Sequence, residues 1–171
     1  MSKSGQLRMR DIRDAYRLIG DCRDLGGHPV LWHGRMLEGL AHLIDADIVT
    51  GGEGRWPRRD EPPSAGSGFA FGLDAAGQKL LRTYVKNNDI QTDPIFRGMG
   101  RIRGQLVVRT RKQLIKDADW YRSRMFTEYF RLIPCDHQLT SIYEVSEDHA
   151  ISVITMHRAR GNETFRTKSS P

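Results

Sequence analysis

The chain has 171 residues, 38% hydrophobic and 28% charged, with seven prolines, which fits one folded globular domain and excludes a disordered or collagen-like polymer. No apolar run approaches the ~20 residues that cross a bilayer, and Met1 to Gln6 lead straight into charged residues, so a cytoplasmic protein with no membrane contact is expected. The formal net charge of +6 equals the cations of one acid-free stretch, Arg97, Arg101, Arg103, Arg109, Arg111 and Lys112, so a local basic patch is expected rather than a uniformly basic protein.

Residues 1–6 are expected to be disordered, and residues 7–157 to form one domain. From Leu7 to Leu25, Ile12, Ala15, Tyr16, Ile19 and Cys22 recur three and four apart with charges between them, which predicts an amphipathic helix ended by Leu25-Gly-Gly-His-Pro. A second helix follows Pro29, with a broad apolar face that includes Met36, Leu37, Leu40, Ala41 and Ile44. Ile48-Val-Thr predicts a first strand that stops at Gly51-Gly52, and residues 51–68, rich in Gly, Pro, Arg and Ser, read as a hairpin tip or lid. Phe69-Ala-Phe-Gly-Leu alternates and predicts a second strand antiparallel to the first.

Residues 74–87 read as a helix with Leu80, Leu81, Tyr84 and Val85 on one side, and Asp93-Pro94 as an extended or turn dipeptide. Leu106-Val-Val predicts a strand, residues 112–117 a connection, and residues 120–133 one helix ended by Pro134. Gln138 to Val145 and Ala150 to Met156 predict a closing hairpin turned at Ser146-Glu-Asp-His, and residues 158–171 a frayed tail. The order predicts an α/β (α+β) fold, an antiparallel β-sheet flanked by helices in a GAF/PAS-like sandwich.

Chemistry-bearing motifs are sparse. The six histidines are scattered, with no H-E-x-x-H or Cys/His cluster, so no metal or other cofactor is expected. Cys22 and Cys135 read as two buried thiols, although the sequence leaves a disulfide between them open. The glycines of Arg97-Gly-Met-Gly-Arg satisfy no phosphate-loop pattern, and no nucleophile stands beside a base, so no enzyme is expected; Asp93, His137 and Glu144 are its only candidates. The aromatic residues are many for a small core, and a sheet under helices leaves room for a small ligand, for which Tyr84, Asp93, Trp120 and Tyr143 are the candidate polar handles.

The run Leu7 to Gly26 (LRMRDIRDAYRLIGDCRDLG), then Trp32, Leu37-Glu-Gly-Leu and Gly51-Gly52, resembles the opening of the GAF-like, autoinducer-binding-like N-terminal sensor domain of bacterial LuxR-type transcription regulators. Asp93-Pro94, Trp120-Tyr-Arg-Ser to Tyr129-Phe-Arg, His157-Arg158-Ala159 and Glu163-Thr-Phe continue the resemblance to about residue 165. In autoinducer-binding members a ligand tyrosine precedes an Asp-Pro pair by nine residues, as Tyr84 precedes Asp93, and the resemblance implies that Asp93 accepts a hydrogen bond from a ligand amide. Leu80 and Val108 stand where that pattern has tryptophans, which argues against an acyl-homoserine lactone.

The chain ends at Pro171 without the helical pattern of a helix-turn-helix, so the expectation is a sensor without its own DNA reader. The expected function is small-molecule sensing, dimerisation, or both, with pairing to a second copy or to full-length regulators. The alternative is a nucleic-acid or acidic-partner module that uses residues 97–112 and loses affinity steeply with salt.

Overall fold

The structure, a computed structural model, describes residues 8–58, 61–87, 89–102, 105–133, 135–145 and 149–159. Its first two helices are α1 (Met9–Asp24) and α2 (Pro29–Ile44). α1 starts where the Arg8 backbone N–H donates to the Asp11 carboxylate at 2.9 Å, and α2 starts with Pro29 in its first turn, where a missing N–H removes no helical bond. The two pack closely at Gly39, where a Cβ would lie 2.3 Å from a methyl of Leu18, and Arg35 joins them by a 2.6 Å ion pair to Asp21. Leu18 is the one buried residue of α1. Met9, Tyr16 and Ile19 remain largely exposed, so α1 is an outer layer carrying an uncovered apolar stripe.

The sheet is built from β1 (Ile48–Arg55), β2 (Ser64–Ala65), β3 (Phe69–Phe71), β4 (Leu106–Thr110), β5 (Cys135–Glu144) and β6 (Ala150–Ala159). Every pairing is antiparallel, in the order β2-β1-β6-β5-β4, and β3 shares the outer side of β1 with β2. Between β3 and β4 stand α3 (Ala75–Lys86) and α4 (Pro94–Gly100); between β4 and β5 stand α5 (Arg111–Leu114), α6 (Asp117–Arg122) and α7 (Arg124–Glu128). The Arg158 guanidinium donates to the carbonyls of Ile44 and Asp45, which satisfies the end of α2 and ties it to β6.

Strand alternation divides the core in two. Val49 and Met156 face α2, where they meet Leu37 and Ala41. On the other face Val107, Ile142 and Ile151 meet Ile95, Phe96, Met99, Trp120 and Met125. The expected sandwich of helices about an antiparallel sheet is present.

Several local elements differ from those expected. β1 continues through Gly51 and Gly52 to Arg55, because β6 pairs with it along its whole length. Its glycines are required by the neighbouring chain: a Cβ on Gly52 or Gly54 would lie 2.3 or 2.2 Å from the carbonyl oxygens of Ser67 and Ser64. Part of the expected loop at 51–68 is therefore strand. Asp93 is extended, as expected before a proline, but Pro94 opens a helix, which Asp93 caps through the Ile95 N–H at 2.8 Å.

The expected connection at 112–117 is partly helical, because residues 111–114 form α5. The single helix expected over 120–133 is two, α6 and α7. It breaks at Ser123, whose backbone is extended and whose hydroxyl accepts from the Phe126 N–H, restarting the helix as α7. Cys135 begins β5 and is buried, Cys22 is half-buried, and both are free thiols. Arg158 and Ala159, expected to open a frayed tail at 158–171, are instead the paired end of β6, while residues 160–171 with the Glu163-Thr-Phe segment, the hairpin turn at 146–148 and Arg103 lie outside the described residues.

Candidate ligand cavity

Between the sheet and the helices that follow β3 lies a cavity of about 130 Å³. Its floor is the face of β1, β5 and β6 that carries Thr50, Gly52, Gln138, Val153, Thr155 and His157. α3 supplies Leu80, Leu81 and Tyr84, the start of α4 supplies Asp93 and Phe96, and the α7 region supplies Met125, Tyr129 and Phe130. Among the described lining residues there is no lysine or arginine, whereas Glu53 and Asp93 are acidic. The lining therefore disfavours an anionic guest. An apolar cavity of ~150 Å³ admits a benzene-sized molecule.

Asp93 lines this space, and Asp89, four positions before it and outside the lining, is treated differently. Asp89 accepts from the Tyr129 hydroxyl and stands 3.3 Å from the Arg124 guanidinium. Asp93, only 4% exposed, receives the Ile95 N–H and the Tyr84 hydroxyl, the latter at a long 3.3 Å, and meets no cation among the described residues. Burial pushes its pKa from the ordinary 3.8 up to about 6, against the two hydrogen bonds that pull it down. Burial first, then the Asp93 carboxylate, holds the Tyr84 phenol well above its usual value. The Tyr84 and Tyr129 rings meet edge to face with centroids 5.7 Å apart, which fixes both hydroxyls.

Of the four expected handles, the structure brings Tyr84 and Asp93 together at the cavity and leaves Trp120 and Tyr143 out of its lining. Trp120 is 2% exposed in the core, packed on Phe126 and Phe130. Tyr143 is 42% exposed on β5, where its hydroxyl accepts from Gln105. His137 and Glu144 are seven positions apart on one strand, about 23 Å, and so share no reacting atom.

The basic stretch is not a single surface. Arg97 and Arg101 are exposed at α4, and half-buried Arg109 donates to the Val108 carbonyl. Arg111 is 2% exposed, ion-paired to Asp117 at 2.7 Å and set over the Trp120 and Tyr121 rings. Lys112 lies 3.8 Å from the same carboxylate. Among the described residues no cluster of three His, Cys, Asp or Glu side chains could hold a metal ion, and no helix is long and apolar enough to cross a membrane.

The sequence reading missed Asp89, Gln138 and His157. For Gln138 and His157 the signal was present as a polar residue at every second position, Gln138-x-Thr140 against Thr155-x-His157, but the pairing register that aligns them is long-range. It also overlooked Trp56, which is buried against Phe96 and donates its indole N–H to the Glu61 carbonyl at 2.7 Å.

No family model and no curated protein matches this chain. Solved structures do. The VqsR LBD domain from Pseudomonas aeruginosa superposes with a TM-score of 0.58 at 10% identity, over 88% of this chain and 81% of that one. SdiA in complex with octanoyl-rac-glycerol gives 0.59 at 13% identity over 95% of this chain, and Escherichia coli SdiA in the space group P6522 gives 0.56 at 10% over 90%. This chain spans 60% and 59% of the length of those two SdiA chains. The fold is that of the ligand-binding domains of LuxR-type regulators.

Proposed function

We propose that this chain is a regulatory sensor domain whose cavity takes a small, largely apolar molecule and fixes it by a hydrogen bond from a ligand N–H or O–H to Asp93. The observation that carries this reading is a buried carboxylate that faces a cavity and has no cation among the described residues. Such a group is costly to keep unless something answers it, and strongly perturbed acids in clefts concentrate at functional sites. Asp89 next to it, held by Arg124 and Tyr129, is how a purely structural carboxylate is accommodated. The solved SdiA complex, with octanoyl-rac-glycerol, supports a neutral ligand with hydroxyl donors as the first class to test.

The test is a thermal-shift and calorimetric screen of neutral amides, acylglycerols and acyl-homoserine lactones against the wild type, Asp93→Asn and Tyr84→Phe. A ligand that binds only the folded state raises its melting temperature by mass action. Binding weakened at least tenfold in Asp93→Asn supports the assignment; a hit equally strong in both variants refutes it.

Self-association is a second reading, which rests on α1. Met9, Ile12, Tyr16 and Ile19 form its exposed apolar stripe, flanked by both signs of charge in Arg13, Asp14 and Arg17. A surface of mixed sign is self-complementary, as a two-fold interface between copies requires. Sedimentation velocity of the wild type and Tyr16→Glu checks this: a dimer is expected in the first and a monomer in the second.

A further inference from the structure

The end of the cavity floor at Gln138 and His157 contains a polar pair in which the Gln138 amide oxygen finds no partner among the described residues. The two residues are register partners on β5 and β6, and both face the cavity. Thr140 and Thr155, the next pair on the same face, meet through their hydroxyls at 3.4 Å, and the Gln138 amide N–H donates to the Thr140 hydroxyl at 3.3 Å. That accounts for one end of the Gln138 amide. The other end, Oε1, is closed even to a water molecule on a residue only 7% exposed and has no partner among the described residues, so a guest reaches it only when the Gln138 side chain rotates into the cavity. Unmet acceptors are rare in folded interiors and mark places where something else belongs.

His157 completes the pair. Its ring tilts against Phe130 with centroids 5.6 Å apart, and it makes no ring hydrogen bond among the described residues. Burial lowers its pKa to about 4, so the imidazole is neutral and offers one donor and one acceptor. No lysine or arginine lines the cavity among the described residues, so this end has no charge for a carboxylate or phosphate. A hydroxyl, which donates and accepts at once, matches an amide end beside a neutral imidazole. This holds for either orientation of the Gln138 amide, because whichever end faces away from Thr140 is the unmet one.

We infer that Gln138 and His157 form a second polar subsite of the cavity, which selects neutral ligands bearing a hydroxyl group in addition to the donor that meets Asp93. The inference rests on the cavity being a ligand site. It narrows the ligand class to neutral alcohols and excludes acids and purely hydrocarbon-tailed amides as the best-fitting guests.

Two probes of equal length, N-pentylacetamide and N-(4-hydroxybutyl)acetamide, separate the possibilities by calorimetry on the full chain. The wild type is expected to bind the hydroxylated probe about tenfold more tightly, because a site built to hydrogen-bond a hydroxyl discriminates against the analogue that lacks it. Gln138→Leu, Gln138→Met and His157→Phe are expected to bring that ratio to about one, with each variant's melting transition checked for folding. A ratio at or below one in the wild type, or a preference unchanged in all three variants, overturns the subsite while leaving the cavity reading intact. If neither probe binds the wild type but other guests compete at Asp93, the subsite alone fails; if nothing binds at all, both readings fall.

Discussion

Replacing Asp93 with asparagine isolates the stability cost of the buried carboxylate. Asparagine retains an acceptor for the Ile95 N–H, so the cap of α4 survives while the titrating group disappears. In the folded chain the acid titrates near 6, above its ordinary 3.8, so between those values the native state binds more protons than the unfolded one. Stability contributed at this position is therefore fully present below pH 3.8 and is lost as pH rises through about 6. The rise from 3.8 to about 6 corresponds to roughly 3 kcal/mol, of which about 2 kcal/mol falls between pH 4.5 and 7. Urea denaturation of wild type and Asp93→Asn at those two pH values measures the difference, with every other titrating group common to both chains. The variant is expected to gain about 2 kcal/mol on the wild type as pH rises; a difference independent of pH refutes the argument. A ligand donor favours the carboxylate form, so affinity is expected to climb with pH up to about 6 and then level off.

His157 gives the opposite slope: its depressed pKa of about 4 means stability present above pH 6.5 is lost as pH falls toward 4, and His157→Phe should gain roughly 3 kcal/mol on the wild type over that interval by the same denaturation assay. Gly54→Ala drives a methyl to 2.2 Å from the Ser64 carbonyl, a backbone clash that should lower stability by about 1–3 kcal/mol and loosen residues 64–68 in hydrogen exchange. Arg111→Ala should cost roughly 3 kcal/mol because it removes a buried cation stacked on two rings, whereas Lys112→Ala beside it should stay within about 0.5 kcal/mol in thermal melts. Trp120→Ala should destabilise by about 3–5 kcal/mol, and Tyr143→Phe should change neither stability nor ligand affinity measurably.

The helices most legible in the sequence are those whose pattern is local. α1, α2 and α3 follow apolar spacings of three and four, and Asp74 caps α3 from the adjacent position, so nearby residues specify their ends. β5 and β6 were legible for the same reason, through alternation. β1 was not, since Gly51, Gly52 and Gly54 are poor strand formers that become strand because β6 pairs with them and Ser64 and Ser67 crowd them. The helix over 120–133 broke at Ser123 because a single hydroxyl competes with the helical bond pattern, a choice that the apolar spacing does not record.

The candidate site divides along the same line. By itself the sequence determined the fold class, α1, α2 and α3, the two closing strands and the nine-residue spacing of Tyr84 and Asp93, because periodicity and spacing are short-range properties of the chain. Only the tertiary structure decided that Asp93 has no cation among the described residues while Asp89 has Arg124, that Arg111 leaves the basic stretch for Trp120 and Tyr121, and that Gln138 and His157 stand side by side. Each of these depends on which distant residues share a face after the strands pair. A strand slipped by one residue would turn the whole polar stripe away from the cavity, and that register is held by the packing of two cores.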